Sequence, residues 1–283
     1  MSNKNNSRNI PLPIKREVRQ RCGFGCVICG FPLYEYDHMK EWSKVQEHKA
    51  EDITLLCDKH HKEVTTGLLP RERVFEANKN PYNLREGCSS PLSLHFNGES
   101  CEVDIGGNIF TADIKSKTFE MLPLIIDGVP LVGFVLENNQ LFLNVNVFDK
   151  FNNLVLQISN NELVYSTSPW DIELVGQTLT IREKARKFLI RITFEPPNKI
   201  SIKKGRFLFN GVEVLINEDH MLITNNNMLL QENYTENVQG GLIIGTTPKP
   251  IGGFMHVQKV NRYLGDSKES LKWAKKMKQE FSD

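Results

Sequence analysis

The chain has 283 residues, of which 40% are hydrophobic and 24% are charged, as in ordinary soluble globular proteins. This length allows two domains whose cores need no disulfides. The net charge of +1 gives no overall electrostatic reason to expect a nucleic-acid partner, so such binding must come from local patches. No apolar stretch of membrane-spanning length and no secretory signal is present. The sequence therefore predicts a cytoplasmic protein without a membrane partner, whose cysteines are reduced.

The beginning of the chain combines a polar tail with a helix signal. Residues 1–10 are almost entirely polar and are predicted to form a disordered tail. Two prolines then favour a helix start, and Ile14, Val18 and Cys22 recur on one helical face. Positive charges on this helix are the candidate contacts to nucleic acid, namely Lys15, Arg16, Arg19 and Arg21.

Two short pairs of cysteine and histidine predict a zinc site. Cys26 and Cys29 are separated by two residues, and Cys57 and His60 have the same spacing. Each pair lets two side chains from one tight turn reach the same tetrahedral ion. Four protein ligands close the coordination shell, so Zn²⁺ is expected to stabilise a module with a small core. Cys22 competes with Cys26 for this role, but its place on the apolar helix face favours packing.

The residues around these pairs predict a strand and a second helix. The strand is expected from Leu33 to Met39. The helix is expected to begin near Asp52–Thr54 and to end near Gly67. The following stretch, 80–91, is rich in Asn, Gly, Ser and Pro and is interpreted as a linker between domains.

The order of the motifs is more specific than any one of them. Asp37 and His38 lie between the two zinc-binding pairs, and His61 directly follows the second pair within Leu-Leu-Cys-x2-His-His. This pattern resembles the HNH endonuclease family, which has a ββα-metal fold, over about residues 14–70. The resemblance implies a zinc-stabilised module that hydrolyses phosphodiester bonds.

The resemblance also implies a role for each residue. His38 corresponds to the general base that deprotonates the attacking water, a task suited to an imidazole with a pKa of about 6.5. Asp37 and His61 correspond to ligands of one catalytic divalent ion, Mg²⁺ or another cation. Adjacent strand residues point to opposite faces, and adjacent helix residues diverge by about 100°. His60 is therefore assigned to zinc and His61 to the catalytic ion.

One position departs from the family pattern. The family has asparagine five residues before the third zinc ligand, and this chain has Asp52 there. Aspartate accepts hydrogen bonds as asparagine does, but it has no amide proton to donate. Three interpretations stay open: Asp52 replaces the asparagine at the catalytic site, it adds a metal ligand, or it marks reduced activity. The first is favoured.

Beyond residue 90 the chain changes to short alternating apolar runs. These runs predict strands, separated by turns in which Asn recurs because it tolerates the left-handed backbone conformation. The expected strands include 141–148, 154–158, 179–181, 188–194, 200–202, 207–209 and 212–216. Together they predict an all-β sandwich or roll, with a β-solenoid as the alternative.

The sequence as a whole predicts an α+β multidomain protein. Its parts are a tail at 1–10, an HNH module at 11–88, a β-rich accessory domain at 89–262 and a lysine-rich amphipathic helix at 263–283. No catalytic cluster stands out after residue 90. The β-rich domain is therefore expected to recognise the target, to bind a protein partner, to regulate the module or to form a homo-oligomer.

Two functions of different classes follow as hypotheses. The first is a metal-dependent endonuclease acting on DNA, with RNA as the alternative substrate. Its arrangement of domains resembles nucleases of prokaryotic defence systems. The second is a zinc-stabilised nucleic-acid-binding or scaffold protein with a degenerate HNH site. Asp37, His38 and His61 together favour the first, because a binding protein needs none of them.

Overall fold

The structure, a computed structural model, describes residues 9–40, 47–113, 118–137, 140–247 and 251–262. The predicted C-terminal helix at 263–283 lies outside these residues, as does most of the predicted tail. Strands dominate the described part of the chain, and its helices all lie before Gly87. None of these helices combines the length and the apolar character needed to span a bilayer.

The chain divides into two compact units. The first unit comprises Met1–Leu92, Val164–Leu174 and Glu183–Ala185, and the second comprises Ser93–Leu163, Val175–Arg182 and Arg186–Asp283. The first division lies near the predicted start of the β-rich domain. The other two segments of the first unit, Val164–Leu174 and Glu183–Ala185, lie within the stretch predicted to be the β-rich domain. The first unit is therefore discontinuous in sequence.

The first unit is built from short helices around one hairpin. Its elements are helix α1 (Leu12–Arg21), strand β1 (Glu35–His38), a 3₁₀ turn (Ala50–Asp52), strand β2 (Ile53–Leu56), and helices α2 (Asp58–Thr65), α3 (Arg71–Lys79) and α4 (Tyr82–Glu86). The helix predicted after the N-terminal prolines is confirmed as α1. The predicted strand at 33–39 is confirmed in its centre as β1. β1 and β2 pair antiparallel, with His38 opposite Ile53 and Asp37 opposite Thr54.

The start predicted for the second helix is wrong. Ile53–Leu56 forms β2, and α2 begins only at Asp58. All four side chains of β2 are buried, which a strand covered on both faces achieves for consecutive residues. A helical turn at the surface of a unit exposes one side to solvent, so it does not bury four successive side chains.

The segment predicted to be a linker is packed. It contains α4, and the fully buried Asn83 donates a hydrogen bond from Nδ2 to the backbone carbonyl of Gly23 at 2.8 Å. A Cβ at Gly25 or Gly30 would collide with the Asn83 side chain. Asn83 of this segment therefore packs closely against the glycine-containing turn after α1.

The core of the first unit lies between α1, the hairpin and the following helices. Its apolar side chains include Val18, Val27, Ile53, Leu55, Leu56, Val64 and Val74. Burial of each of the larger ones stabilises the fold by about 1.5–3 kcal/mol. Cys22 is fully buried in this core, as its place on the apolar helix face indicates.

The remaining strands follow in chain order. They are β3 (Leu92–Ser93), β4 (Ser100–Ile105), β5 (Asn108–Asp113), β6 (Thr118–Ile126), β7 (Val129–Glu137), β8 (Gln140–Phe148), β9 (Leu154–Ser159), β10 (Glu162–Tyr165), β11 (Asp171–Val175), β12 (Thr178–Lys184), β13 (Lys187–Glu195), β14 (Lys199–Phe209), β15 (Val212–Ile216), β16 (His220–Ile223), β17 (Met228–Gln231), β18 (Tyr234–Glu236), β19 (Gly240–Ile244) and β20 (Gly253–Val257).

These strands form two open sheets. One has the strand order β20-β19-β6-β7-β8-β9-β10-β3. The other has the order β11-β12-β13-β14-β15-β16-β17. In this second sheet β4 also pairs with β14, β5 pairs with β4, and β18 pairs with β5. Neighbours from β6 to β9 and from β13 to β17 pair antiparallel. A solenoid stacks parallel strands coil upon coil, so these antiparallel meanders do not fit the β-solenoid alternative.

Two predicted runs merge into one long strand. The runs at 200–202 and 207–209 are both part of β14, which pairs with β4 through its first half and with β15 through its second half. Gly205 lies between the halves with φ +138°, and a Cβ there would lie 2.6 Å from the Cα of Ile190. Only glycine fits this close approach of two backbones.

The other predicted strands and turns of the β-rich part are confirmed. The strands at 141–148, 154–158, 179–181, 188–194 and 212–216 correspond to β8, β9, β12, β13 and β15. The left-handed conformation expected of turn asparagines occurs at Asn152, Asn160, Asn161, Asn210 and Asn227.

Candidate metal centre and catalytic cluster

Three thiols and one imidazole converge in the first unit. The ligand atoms of Cys26, Cys29, Cys57 and His60 all lie within 4.8 Å of one another. The Sγ atoms of Cys29 and Cys57 are 3.8 Å apart, and Nδ1 of His60 lies 3.4 Å from Cys26 Sγ and 3.2 Å from Cys57 Sγ. A tetrahedron with Zn–S bonds of about 2.3 Å has S···S edges of about 3.8 Å. The cluster therefore has the composition and spacing of a zinc site.

Local backbone contacts bring the two pairs together. Cys26 and Cys29 lie in the turn after α1, and Cys57 precedes the first turn of α2, which carries His60. The N–H of Val27 donates to the carbonyl of Leu55 at 3.0 Å, which joins the turn to β2 two residues before Cys57. This hydrogen bond and the shared apolar core hold the turn beside the end of the hairpin, where the two pairs meet.

The electrostatics of the cluster favour a thiolate at Cys26, whereas the pKa of Cys29 is raised chiefly by its hydrogen bond with Cys26 and the pKa of Cys57 chiefly by burial. A hydrogen bond from Cys29 lowers the pKa of the Cys26 thiol to about 4, against the raising effect of burial, and backbone groups of the turn add to the lowering. Nε2 of His60 lies 3.9 Å from the Glu63 carboxylate, one turn along α2. Such a carboxylate behind a ligating imidazole orients the ring and fixes its tautomer.

A second cluster brings Asp37 and His61 together. Oδ1 of the buried Asp37 lies 3.6 Å from Nε2 of His61, and the other ring nitrogen of His61 lies 3.5 Å from Oε2 of Glu35. Glu35 and Asp37 lie two residues apart on β1 and therefore point to the same face of the hairpin. Bond lengths of about 2.0–2.2 Å let one divalent ion touch two atoms separated in this way.

His38 has a different neighbour from Asp37. Its Nε2 lies 3.1 Å from Nδ1 of His48. Burial lowers the pKa of His38 below 6.5, and His48 lowers it further, while Asp37 and Asp52 act in the opposite direction. His38 is therefore a neutral imidazole at pH 7.

Asp52 connects the 3₁₀ turn to the residues after β1. Its Oδ1 lies 2.7 Å from Nζ of Lys40, and its backbone carbonyl accepts a hydrogen bond from the N–H of Met39 at 2.9 Å. These contacts hold the segment that directly follows His38.

Arg71 is a residue of the cluster that motif spacing did not indicate. NH1 of Arg71 donates to Oδ2 of Asp37 at 3.2 Å and to the backbone carbonyl of His38 at 3.1 Å. Arg71 is the first residue of α3, after the end of the recognised pattern, so only the tertiary structure brings it to β1. Glu35 and His48 were missed for a similar reason, because no spacing rule connects them to the catalytic residues.

Arg19, a predicted nucleic-acid contact, is buried. Its guanidinium donates to both carboxylate oxygens of Asp171 at 2.9 and 2.8 Å and to the hydroxyl of Tyr36 at 2.9 Å. Asp171 is fully buried as well. Arg19 therefore stabilises the fold of the first unit, and the prediction that it contacts a nucleic acid does not match its position.

The other basic residues of α1 also contact protein groups. Arg21 donates to the side chain of Asn78 and to two backbone carbonyls in the 3₁₀ turn and β2. Arg16 lies over the ring of Trp170, 4.7 Å from its centroid, and Lys15 lies 5.5 Å from the ring centroid of Tyr36. The basic side chains of α1 thus contact groups of the first unit itself.

Comparisons with known proteins add no family to this description. No family model, no curated protein and no solved structure matches the chain. Functional conclusions therefore depend on the chemistry of the two clusters themselves.

Proposed function

We propose that the first unit is a metal-dependent endonuclease of the HNH type, with a ββα-metal fold and a structural zinc. The observation that carries this proposal is the 3.6 Å approach of Asp37 and His61 on the succession β1-β2-α2, next to the cysteine-rich cluster. Carboxylate and imidazole are suitable ligands for a catalytic divalent ion. When bound, that ion supplies positive charge for the phosphate and the leaving group.

His38 is the proposed general base. Its lowered pKa keeps the imidazole neutral at pH 7, which is the form that accepts a proton from water. It follows Asp37 directly on β1, so its side chain is carried to the opposite face of the strand and stays separate from the ion ligands.

Arg71 is the proposed phosphate ligand. Its side chain is 38% exposed, and its contacts to Asp37, His38 and Met39 all use NH1. A planar guanidinium holds five N–H donors, so donors remain for a phosphate oxygen. Arg71 would position the substrate beside the ion ligand Asp37.

Asp52 is the proposed positioning residue in place of the family asparagine. Its carboxylate pairs with Lys40, and its backbone carbonyl accepts a hydrogen bond from the N–H of Met39. Met39 and Lys40 are the two residues that follow His38. This supports the first of its three interpretations, because a tether on this segment orients the base without an amide donor.

The zinc is proposed to be structural because its shell is complete. Three thiolates and one imidazole occupy all four tetrahedral positions, so no open position is left for water or substrate. Its free energy of binding is then free energy of folding for a unit with a small core.

The decisive experiment is nicking of supercoiled plasmid DNA by the full chain with added Mg²⁺, Mn²⁺ or Ni²⁺, and cleavage of RNA in parallel. His38→Ala is expected to reduce the cleavage rate by at least about 100-fold, while about one equivalent of zinc stays bound. His95→Ala, which removes an exposed histidine of the second unit, is the matched control and should cleave normally. Unchanged cleavage by His38→Ala would remove the base from its role.

One contact favours the alternative, a zinc-stabilised binding or scaffold protein. Arg71 already neutralises the carboxylate of Asp37, and a cation at this place competes with a divalent ion. Binding of nucleic acid without cleavage in any of the three metals would support this alternative and exclude the nuclease.

A further inference from the structure

The second unit carries a cluster of cations around one aromatic ring. The charged groups of Arg182 on β12, Arg191 on β13 and Lys204 on β14 lie 5.2, 5.1 and 4.9 Å from the ring centroid of Phe188. Phe188 itself is near the start of β13 and is half-buried. Three adjacent strands thus place three positive charges on one ring, a group here called the Phe188 platform.

The positive charges of Arg191 and Lys204 destabilise the folded sheet, so folding alone does not account for their position. Arg191 and Lys204 are directly paired across β13 and β14, and like charges directly opposite each other destabilise a sheet. Within the described part of the chain, no carboxylate forms an ion pair with either of these two exposed side chains. The ring of Phe188 offsets the repulsion only in part, because an exposed cation–π contact contributes about 0.5–1 kcal/mol.

Two other lysines of β14 are paired with acidic side chains, unlike Lys204. Lys199 pairs with Glu102 at 3.0 Å, and Lys203 pairs with Asp104, both on β4. Lys204 has Arg191 and Phe188 as its neighbours where these lysines have acids. The platform is therefore a concentrated positive surface in a chain whose net charge is only +1.

We propose that the Phe188 platform binds single-stranded nucleic acid. Neighbouring strands lie about 4.8 Å apart, so their cations form a row that can contact successive phosphates of a flexible strand. The aromatic ring offers a surface on which an unpaired base stacks. An acidic peptide would use the charges but not the ring in this way. The site lies within the second unit and its binding does not depend on cleavage by the first.

The test is fluorescence-anisotropy binding of the full-length chain in a His38→Ala background, which keeps the probe intact. The probes are a labelled single-stranded DNA of about 20 nucleotides, the same sequence as RNA, its DNA duplex, and polyglutamate of similar length. The double variant Arg191→Gln with Lys204→Gln is expected to weaken single-strand binding at least about tenfold. The slope of log K against log salt should fall by about 1.4, as expected for two lost contacts.

A matched control separates the platform from general charge. Lys150→Gln with Lys259→Gln removes two exposed lysines of the same unit and should change single-strand affinity less than about twofold. Equal weakening by both double variants would overturn the proposal. Thermal melting of each variant shows whether a loss of affinity is instead a loss of fold.

Phe188→Leu tests the stacking. It keeps an apolar side chain, so the fold is retained, and it should weaken single-strand binding about tenfold with an unchanged salt slope. Duplex binding should change little, because paired bases are already stacked. Tighter binding of duplex or of polyglutamate than of either single strand would overturn the proposal. Comparison of the DNA and RNA arms shows which single strand the platform prefers.

Discussion

The half-buried imidazole of His38 lies against His48, and both burial and this neighbour lower its pKa below 6.5. Neither effect is visible in the motif, because His48 lies ten residues away without a spacing rule. At the residue scale, the sequence predicted which atoms take part in the proposed chemistry. The structure adds the environment that sets their protonation.

The pH dependence of cleavage should report this environment. The neutral form is the base, so the rate rises as pH increases through the lowered pKa and becomes level well above it. His48→Gln removes a neighbour that lowers the pKa of His38, and the midpoint should therefore move up toward 6.5 while burial still holds it below that value. The measurement is the cleavage rate between about pH 5 and pH 8.

His95→Ala serves as the control for this profile, since it removes a histidine outside the cluster. A midpoint that moves down in His48→Gln, or does not move, would show that His48 has no electrostatic effect on the base.

At the scale of elements, the turn after α1 and the start of α2 form one zinc-binding unit. Cys26 and Cys29 come from the turn, and the hydrogen bond between Val27 and Leu55 connects this turn to β2. Cys57 directly follows β2, and His60 lies in the first turn of α2. The metal would therefore join the elements that also carry Asp37 and His61.

Cys57→Ser should lose zinc and unfold the first unit, because free energy of metal binding is free energy of folding in such modules. Cys22→Ser is the matched control. Its sulfur lies 3.9 Å from the Thr54 hydroxyl, outside the four-ligand cluster, so about one equivalent of zinc should remain. Zinc content by metal analysis and protection from limited proteolysis are the measurements. Full zinc content in Cys57→Ser would contradict the ligand assignment.

Across the whole molecule, the first unit includes a segment that lies far along the chain. Asp171, within Val164–Leu174, binds Arg19 over a separation of 152 residues. Burial lowers the pKa of Arg19, but the hydrogen bond to Asp171 and the nearby charges outweigh burial and raise it above its ordinary value. Arg19 therefore stays charged, and in its buried position it depends on Asp171 for the hydrogen bonds that water would otherwise supply.

Asp171→Ala should therefore destabilise the first unit by about 3–5 kcal/mol, because it leaves the guanidinium of Arg19 buried without its main partner. Glu173→Ala is the comparison. Its carboxylate is partly exposed and lies 3.4 Å from Arg19, so the cost should be about 1 kcal/mol or less. Urea unfolding followed by release of zinc to a chromogenic chelator reports this unit selectively. Equal effects of the two variants would show that the buried pair is not a main source of stability.

The sequence by itself determined what depends on short spacing. It predicted α1, left-handed asparagine turns, a part of the strands (β1, β8, β9, β12, β13, β14 and β15) and the four residues of the metal-binding cluster, because covalent geometry brings neighbours of this kind together. It placed the start of a helix at β2, because a short apolar run has no periodicity that separates a buried strand from a helix. Burial of all four residues from Ile53 to Leu56 decides that question, and burial is a tertiary property.

Only the tertiary structure decided which charges face solvent and which are enclosed. The arginines of α1 resembled a phosphate-binding surface in sequence, yet Arg19 is buried against Asp171. The exposed positive cluster lies instead around Phe188, where three strands meet. The physical reason is that the free energy of a charge depends on solvent and on partners in space. Those partners come from distant segments, as with Asp171, 152 residues from Arg19, and no local pattern relates them.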